Sequence, residues 1–338
     1  RVRSLDKKEH DVQFYLETTP EIAINDNTQP TTATVFSQKG IRYVKAGSIE
    51  QPVCAKKGDG LCIDWGYVYL AAPSAAGTEV GLGDYYDMKR SFINNGKTGF
   101  SKLNWWARRA NEQPAMTYVH NLGQVGKTGN TGFVMLGYDD VYSVEYMYER
   151  YMGYWKHEGK VTIEDAFEKL RDNYADIMQR CRMQDEMIYD DALKAGGRQY
   201  AEICSAVYRQ AISAHKLFTD KEGNLLFFSK ENNSGGFINT VDVTYPSTPL
   251  FLTYNPDLVK GMITSIFDYS ASKRWTKPFP AHDLGVYPMA NGQIYGADMP
   301  VEESGNMVIL AAAISKIEGN ADYAKKYWDL LTTWTNYL

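Results

Sequence analysis

The sequence predicts two domains of different class: an antiparallel β-sandwich over residues 1–155 and a layer of successive helices over residues 156–338. Three observations carry that reading. Short runs in which apolar and polar residues alternate continue to about residue 140, and Gly, Asn and Ser punctuate them. After Tyr154 the apolar spacing lengthens to that of a helix. A chain of 338 residues is also long enough to bury two cores.

In the first part, Val12, Phe14 and Leu16 form one alternating face, and Val134, Leu136 and Tyr138 another. Trp65 to Leu70 is a compact aromatic and β-branched run. Asn94-Asn95-Gly96 and Gly129-Asn130-Thr131-Gly132 supply turns. Many short strands broken by such turns favour a sandwich.

Beyond Tyr154, Ile163, Ala166, Phe167, Leu170, Tyr174, Ile177, Met178 and Cys181 fall on one helical stripe, with Thr162 and Asp165 as a capping pair at its start. A second helix is expected after Gly196-Gly197, carrying Tyr200, Ile203, Cys204, Val207, Tyr208, Ala211, Ile212, His215 and Phe218 in register. Two more open on proline, at Pro249 and at Pro256. A helix from Glu302 to Glu318 stops at Gly319, and the last runs through Tyr323, Tyr327, Leu330, Leu331 and Trp334. Helices that each carry an apolar face need a further helical layer to cover them. The pattern is still helical at Leu338, so the domain is expected to continue past it.

Composition narrows the function classes. Hydrophobic residues at 44% and charged residues at 23% are ordinary for a globular protein. The net charge is −5 with no basic block, which argues against nucleic acid and anionic membranes as partners. No apolar run approaches the ~18 residues that cross a bilayer. The chain opens at Arg1 rather than Met, so a leader is expected upstream, with a secreted, periplasmic or cell-surface location. Aromatic residues reach 13%, a content found in sugar-binding proteins and, more often, in aromatic cores.

Cys54 and Cys62 bracket a Lys-Lys-Gly-Asp-Gly turn, which two strands meeting there would bring within bridging distance and which chance also produces. Cys181 and Cys204 read as core residues. No Cys/His spacing matches a zinc site and no acidic loop has Ca²⁺ spacing, so no metal or cofactor is indicated, although Asp and Asn are plentiful in the loops.

Several motif matches fail on inspection. Gly126-Lys127-Thr128 resembles the end of a phosphate loop, but Asn121 stands where its first glycine belongs, and Ser91 does the same for Gly96-Lys97-Thr98. Ser213 with Lys216 and Ser270 with Lys273 have the Ser-x-x-Lys spacing without its companion motifs. No Gly-x-Ser-x-Gly elbow occurs.

The informative region runs from Leu226 to Met307 and holds three loops dense in polar and small residues. The first joins Phe228-Ser229-Lys230-Glu231-Asn232 to Thr240-Val241-Asp242-Val243-Thr244-Tyr245. The second is Pro280-Ala281-His282-Asp283-Leu284-Gly285 continuing through Ala290-Asn291-Gly292-Gln293, and the third is Asp298-Met299-Pro300-Val301-Glu302-Glu303-Ser304. These segments resemble signature stretches of the glutaminase A family, as do Ala206-Val207-Tyr208-Arg209-Gln210, Ala214-His215-Lys216-Leu217 and, earlier, Leu136-Gly137-Tyr138-Asp139-Asp140. The resemblance covers nearly all of residues 160–338 and is weaker over residues 1–130.

What the resemblance implies is a β-sandwich joined to an incomplete (α/α)6 toroid like that of the six-hairpin glycosidases. The implied activity is hydrolysis of the side-chain amide of L-glutamine to glutamate and ammonia. Because the fold relatives cleave glycosidic bonds, a six-hairpin glycoside hydrolase is the second expectation. A non-catalytic carbohydrate-binding or scaffold protein is the third. The ligand is a small molecule or a glycan.

Both chemistries draw on carboxylates gathered by converging loops. The expected catalytic residues are Asp242, Asp283, Glu302 and Glu303. Glu302 and Glu303 open a helix, where acidic side chains also serve merely to stabilise the N-terminus. Asp283 offers an acid or a ligand, or a holder of loop amides. Expected in substrate binding are Glu231, Asn232, His282, Tyr245, Arg209 and Asn291, with Arg209 as a cation for a carboxylate. His215 reads as a core histidine.

Overall fold

The computed structural model describes residues 1–99, 104–109, 112, 114–231 and 234–338. The chain divides into two compact units, one of Arg1–Val53, Cys62–Val141 and Lys160–Tyr174, the other of Cys54–Leu61, Tyr142–Gly159 and Ala175–Leu338. The chain passes from one to the other after Val141, Gly159 and Tyr174, on both sides of the expected boundary at residue 155.

The first unit is a β-sandwich. Its elements in order are β1 (His10–Thr18), β2 (Pro30–Gln38), β3 (Ile41–Ser48), β4 (Tyr67–Pro73), β5 (Thr78–Asp84), α1 (Tyr85–Asn95), β6 (Asn104–Arg109), β7 (Pro114–Val125), β8 (Met135–Asp139) and α2 (Ile163–Asp172). One sheet has the order β1-β7-β5 and the other β6-β2-β3-β4-β8, with every pairing antiparallel. Alternate residues of each sheet meet in the core: Val44, Val68 and Leu70 from one, Leu82, Met116 and Tyr118 from the other. Leu16 packs against that core, whereas Phe14, on the same face of this edge strand, is 44% exposed.

Helix α2 covers the outer face of the larger sheet. Thr162 and Asp165 form the expected capping box, with both reciprocal bonds present. Phe167 lies over Tyr43 and Tyr69, at ring distances of 5.8 and 6.1 Å. Beneath it is Gly137, where an added Cβ would come within 2.6 Å of the Phe167 ring.

The second unit is largely helical. It contains β9 (Val144–Tyr146), β10 (Glu149–Tyr151), nearly all of α3 (Tyr174–Ser213), β11 (His215–Thr219), β12 (Leu225–Ser229), α4 (Val241–Tyr254), α5 (Pro256–Ala271), β13 (Met289–Ala290), α6 (Pro300–Glu318), α7 (Asp322–Lys326) and α8 (Trp328–Tyr337). Helix α5 is buried on nearly every side, and its Phe267 stacks on Tyr327 at 4.2 Å and on Trp334 at 5.1 Å. Helix α5 begins at Pro256 with Asn255 capping the Asp257 amide, and α6 stops at Gly319 in the left-handed region, both as expected. No helix among the described residues is long and apolar enough to cross a membrane.

Gly197 (φ 77°, ψ −174°) breaks α3 into two helices, as expected. Four other expectations are corrected. The second of these helices ends at Ser213, and His215 to Thr219 form a hairpin with β12, because the alternation of the run suits a strand as well as a helix. Pro249 does not open a helix: α4 begins at Val241 and carries Pro246 and Pro249 inside it. The cysteines of α3 are not core residues either. Cys181 is exposed and Cys204 half-buried, since α3 buries only Ile188, Ala192 and Ala201. Cys54 is buried and Cys62 exposed, and no disulfide joins them.

Candidate functional site

The polar loops of the helical unit are stitched together by backbone pairing. Residues 236–241 run antiparallel to residues 282–287: Ile238 donates to Gly285, Leu284 to Ile238, Tyr287 to Gly236 and Val241 to the His282 carbonyl, at 2.9 to 3.0 Å. That last bond satisfies an amide at the start of α4, which would otherwise be an orphan donor, and sets Asp242 beside His282. Asn239 fixes the near end. Its side-chain oxygen accepts from the Ser229 amide at 2.8 Å and its nitrogen donates to the Met262 carbonyl at 2.8 Å.

The start of α6 is tied to the second loop through Gln293. Its side-chain nitrogen donates to Asp298 at 2.5 Å and to the Tyr295 carbonyl at 2.7 Å, and its oxygen accepts from the His282 amide at 2.8 Å. Glu303 in the first turns of α6 is thereby brought to the same place.

Asp283 is fully buried and fully bonded. Oδ1 accepts from the Gly285 and Ile294 amides at 2.8 and 3.1 Å, while Oδ2 accepts from the Tyr295 amide at 3.1 Å and lies 3.0 Å from His282 Nδ1. A carboxylate already accepting three amide bonds makes Nδ1 the donor, so His282 Nε2 presents a lone pair. Tyr295 stacks on the imidazole at 4.3 Å and Phe237 meets it edge-on at 6.2 Å, which fixes the ring plane.

Nε2 faces two more carboxylates, Asp242 Oδ1 and Glu303 Oε1, each 3.8 Å away. One ligand atom from each of the three residues lies within 4.8 Å of the others. Glu303 is fully buried, whereas the Asp242 side chain is 28% exposed. Both Glu303 oxygens and Asp242 Oδ1 are buried with no hydrogen-bond partner among the described residues. Burial first, then the neighbouring charges of Asp242 and Glu302, push the Glu303 carboxyl up to about 9, and the nearby Asn306 side chain and Asp242 amide temper that rise only in part. The cluster thus sets one imidazole nitrogen and two carboxyl groups together, with no Lys or Arg paired to either carboxyl among the described residues. It is built to take a proton, a water molecule or a cation.

The remaining expected residues fall elsewhere. Glu302 is exposed on the first turn of α6, and Tyr245, 37% exposed, stands one turn along α4 from Asp242. Glu231 holds a turn by accepting from Ser234 Oγ and the Gly235 amide, at 2.6 and 3.2 Å. Both ends of the Asn291 amide are taken, by Glu145 and by the Tyr148 amide, at 2.7 Å each. Arg209 is exposed on α3 and is not one of the three clustered residues. Asn232 lies outside the described residues. His215 stacks on Phe227 at 4.1 Å, and burial lowers its pKa to about 4, the behaviour of a core histidine although it sits in a strand. A grouping able to hold a metal was not foreseen, because its members come from three separate segments and no spacing motif joins them.

Comparison with known proteins gives matches over the whole chain. Residues 197–338, which include the entire cluster, match the family model described as the Glutaminase A six helical-hairpin domain, and residues 1–191 match a domain of unknown function, DUF5127. Over 346 aligned residues the chain is 30% identical to Glutaminase A of Aspergillus oryzae, an alignment that covers 100% of this chain and 49% of that protein. It is 35% identical over 127 residues to a protein of Arthroderma benhamiae named as a probable glutaminase, across 37% of this chain and 15% of that one. The chain thus spans about half the length of the first relative and a smaller part of the second. The helical unit is accordingly part of a six-hairpin toroid that follows a β-sandwich.

Proposed function

The chain belongs to the glutaminase A family, and on that premise we propose that its helical unit carries the hydrolytic centre of an amidohydrolase acting on the side-chain amide of L-glutamine. The reaction needs a water molecule that loses a proton as it adds to the amide carbonyl, and a proton for the departing ammonia. Asp242 is the one member of the cluster with substantial exposure, so it is assigned as the base that takes the water's proton and then gives it to the departing ammonia. His282 and Glu303 hold the water from behind. Asp283 does not touch the reacting atoms: it is a positioning residue that fixes the tautomer and plane of His282.

One observation carries this reading, the convergence of Asp242, His282 and Glu303 with their carboxylate oxygens unpartnered. Buried carboxylates are normally satisfied. A set left unsatisfied costs stability, and such arrangements concentrate at functional sites.

The exposure of the pair favours the amide over the glycoside. A glycosidase needs one carboxylic acid and one carboxylate that both reach the sugar. Here only Asp242 has an exposed face, while Glu303 is fully buried. The test is ammonia release from L-glutamine by the full-length protein beside a panel of aryl glycosides. Asp242→Asn is expected to lower the ammonia rate by roughly 100-fold or more. Activity on the glycosides alone, or an unchanged rate in a folded Asp242→Asn protein, would overturn the assignment.

A further inference from the structure

We propose that Asp242, His282 and Glu303 together bind one divalent transition-metal cation of the Zn²⁺ or Mn²⁺ class. The water's place on that cation rests on the amidohydrolase reading; the binding itself rests on geometry alone.

The distances fit a metal. Around a tetrahedral ion with bonds of roughly 2.0–2.2 Å, neighbouring ligand atoms stand roughly 3.3–3.6 Å apart. His282 Nε2 lies 3.8 Å from Asp242 Oδ1 and 3.8 Å from Glu303 Oε1, a few tenths of an ångström beyond that spacing, and all three ligand atoms lie within 4.8 Å of one another. The orientation fits as well. The Asp283–His282 bond is the carboxylate–imidazole pairing that aims a metal-binding nitrogen, and three backbone amides hold its carboxylate still.

Charge points the same way. Two carboxyl groups meet one imidazole, and among the described residues no Lys or Arg pairs with either of them. Glu303 is fully buried, and both of its oxygens are free of partners while one faces Nε2. A buried charge left so would be prohibitively costly unless a cation or a proton joined it. The exposed side of Asp242 leaves a fourth position open to water, the pattern of a catalytic rather than a structural ion. One nitrogen and two carboxylate ligands suit Zn²⁺ or Mn²⁺. Ca²⁺ would want six to eight oxygens, and Mg²⁺ keeps most of its own waters.

The experiment is to strip the purified protein with a chelator, add Zn²⁺ or Mn²⁺, and measure bound metal after gel filtration together with affinity by calorimetry. About one equivalent per chain is expected. Glu303→Gln keeps the side-chain shape and removes the charge, so it folds and is expected to lose the stoichiometric binding. Asp283→Asn is expected to weaken affinity by roughly 10–100-fold. Substoichiometric metal, or full binding that Glu303→Gln leaves unchanged, overturns the inference. Ammonia release at the full rate by the stripped protein would overturn the water's place on the cation and leave the amidohydrolase reading standing. Stoichiometric binding without any ammonia release would uphold the metal and sink that reading instead.

Discussion

Replacing Glu303 with Gln is expected to stabilise the stripped protein, and to do so increasingly as pH rises. In the unfolded chain this carboxyl ionises near its ordinary 4.5, whereas burial in the fold raises it to about 9. Below pH 4.5 both states carry the proton and no penalty exists. Between 4.5 and 9 the unfolded chain ionises while the folded one does not, so stability drains away across that window. At about 1.4 kcal/mol per pH unit, the interval from 4.5 to pH 7 is of order 3 kcal/mol. Gln cannot ionise and escapes this cost. Its amide brings a buried donor of its own, an offset of roughly 1–3 kcal/mol that does not vary with pH, so the slope is the decisive quantity. Urea unfolding of both proteins at pH 5, 7 and 8.5, followed by circular dichroism with a chelator present, measures it. A difference between them that stays flat from pH 5 to 8.5 would refute the account of Glu303. Adding Zn²⁺ should then stabilise the wild type and leave Glu303→Gln where it was.

Two further substitutions probe the scaffold. Asn239→Ala removes the bonds that tie Ser229 and Met262 to the start of the site and takes the side-chain acceptor from the Ser229 amide, for an expected loss of roughly 1–3 kcal/mol in urea unfolding. Gly137→Ala drives a methyl group to 2.6 Å from the Phe167 ring, and the expected cost of roughly 1–3 kcal/mol should shrink when Phe167 is also replaced by Leu.

Where a local rule decides a structure, the sequence reveals it. The Thr162–Asp165 box, the Asn255-Pro256 start and the Gly319 stop each involve neighbours only, and each stands where its residues place it. Helix α4 shows the opposite. Pro246 and Pro249 cannot donate to the carbonyls of Asp242 and Tyr245, four residues back, so the local rule puts a helix start at one of them. Tertiary structure overrides it: the Val241 amide finds the His282 carbonyl, and Val241, Thr244, Thr248 and Phe251 are buried along the helix. His215 went astray for a related reason, since a short apolar run flanked by a helix does not reveal that Leu225 to Ser229 will pair with it.

The site was legible in its residue types and illegible in its roles. Asp283 looked as suited to catalysis as Asp242, because what separates them is the set of backbone amides at Gly285, Ile294 and Tyr295, and any residue types there would supply the same donors. The adjacent glutamates are separated by helix geometry instead. Successive residues on a helix point about 100° apart, so Glu302 and Glu303 cannot both face one cluster. Which of them turns inward depends on the rotation of α6, and that rotation is set by Met307, Leu310 and Ile314 in the core. Glu303 precedes Met307 by four residues and shares its buried face, whereas Glu302 shares the exposed one with Ile309. The apolar stripe of α6 thus selects the carboxylate that enters the cluster.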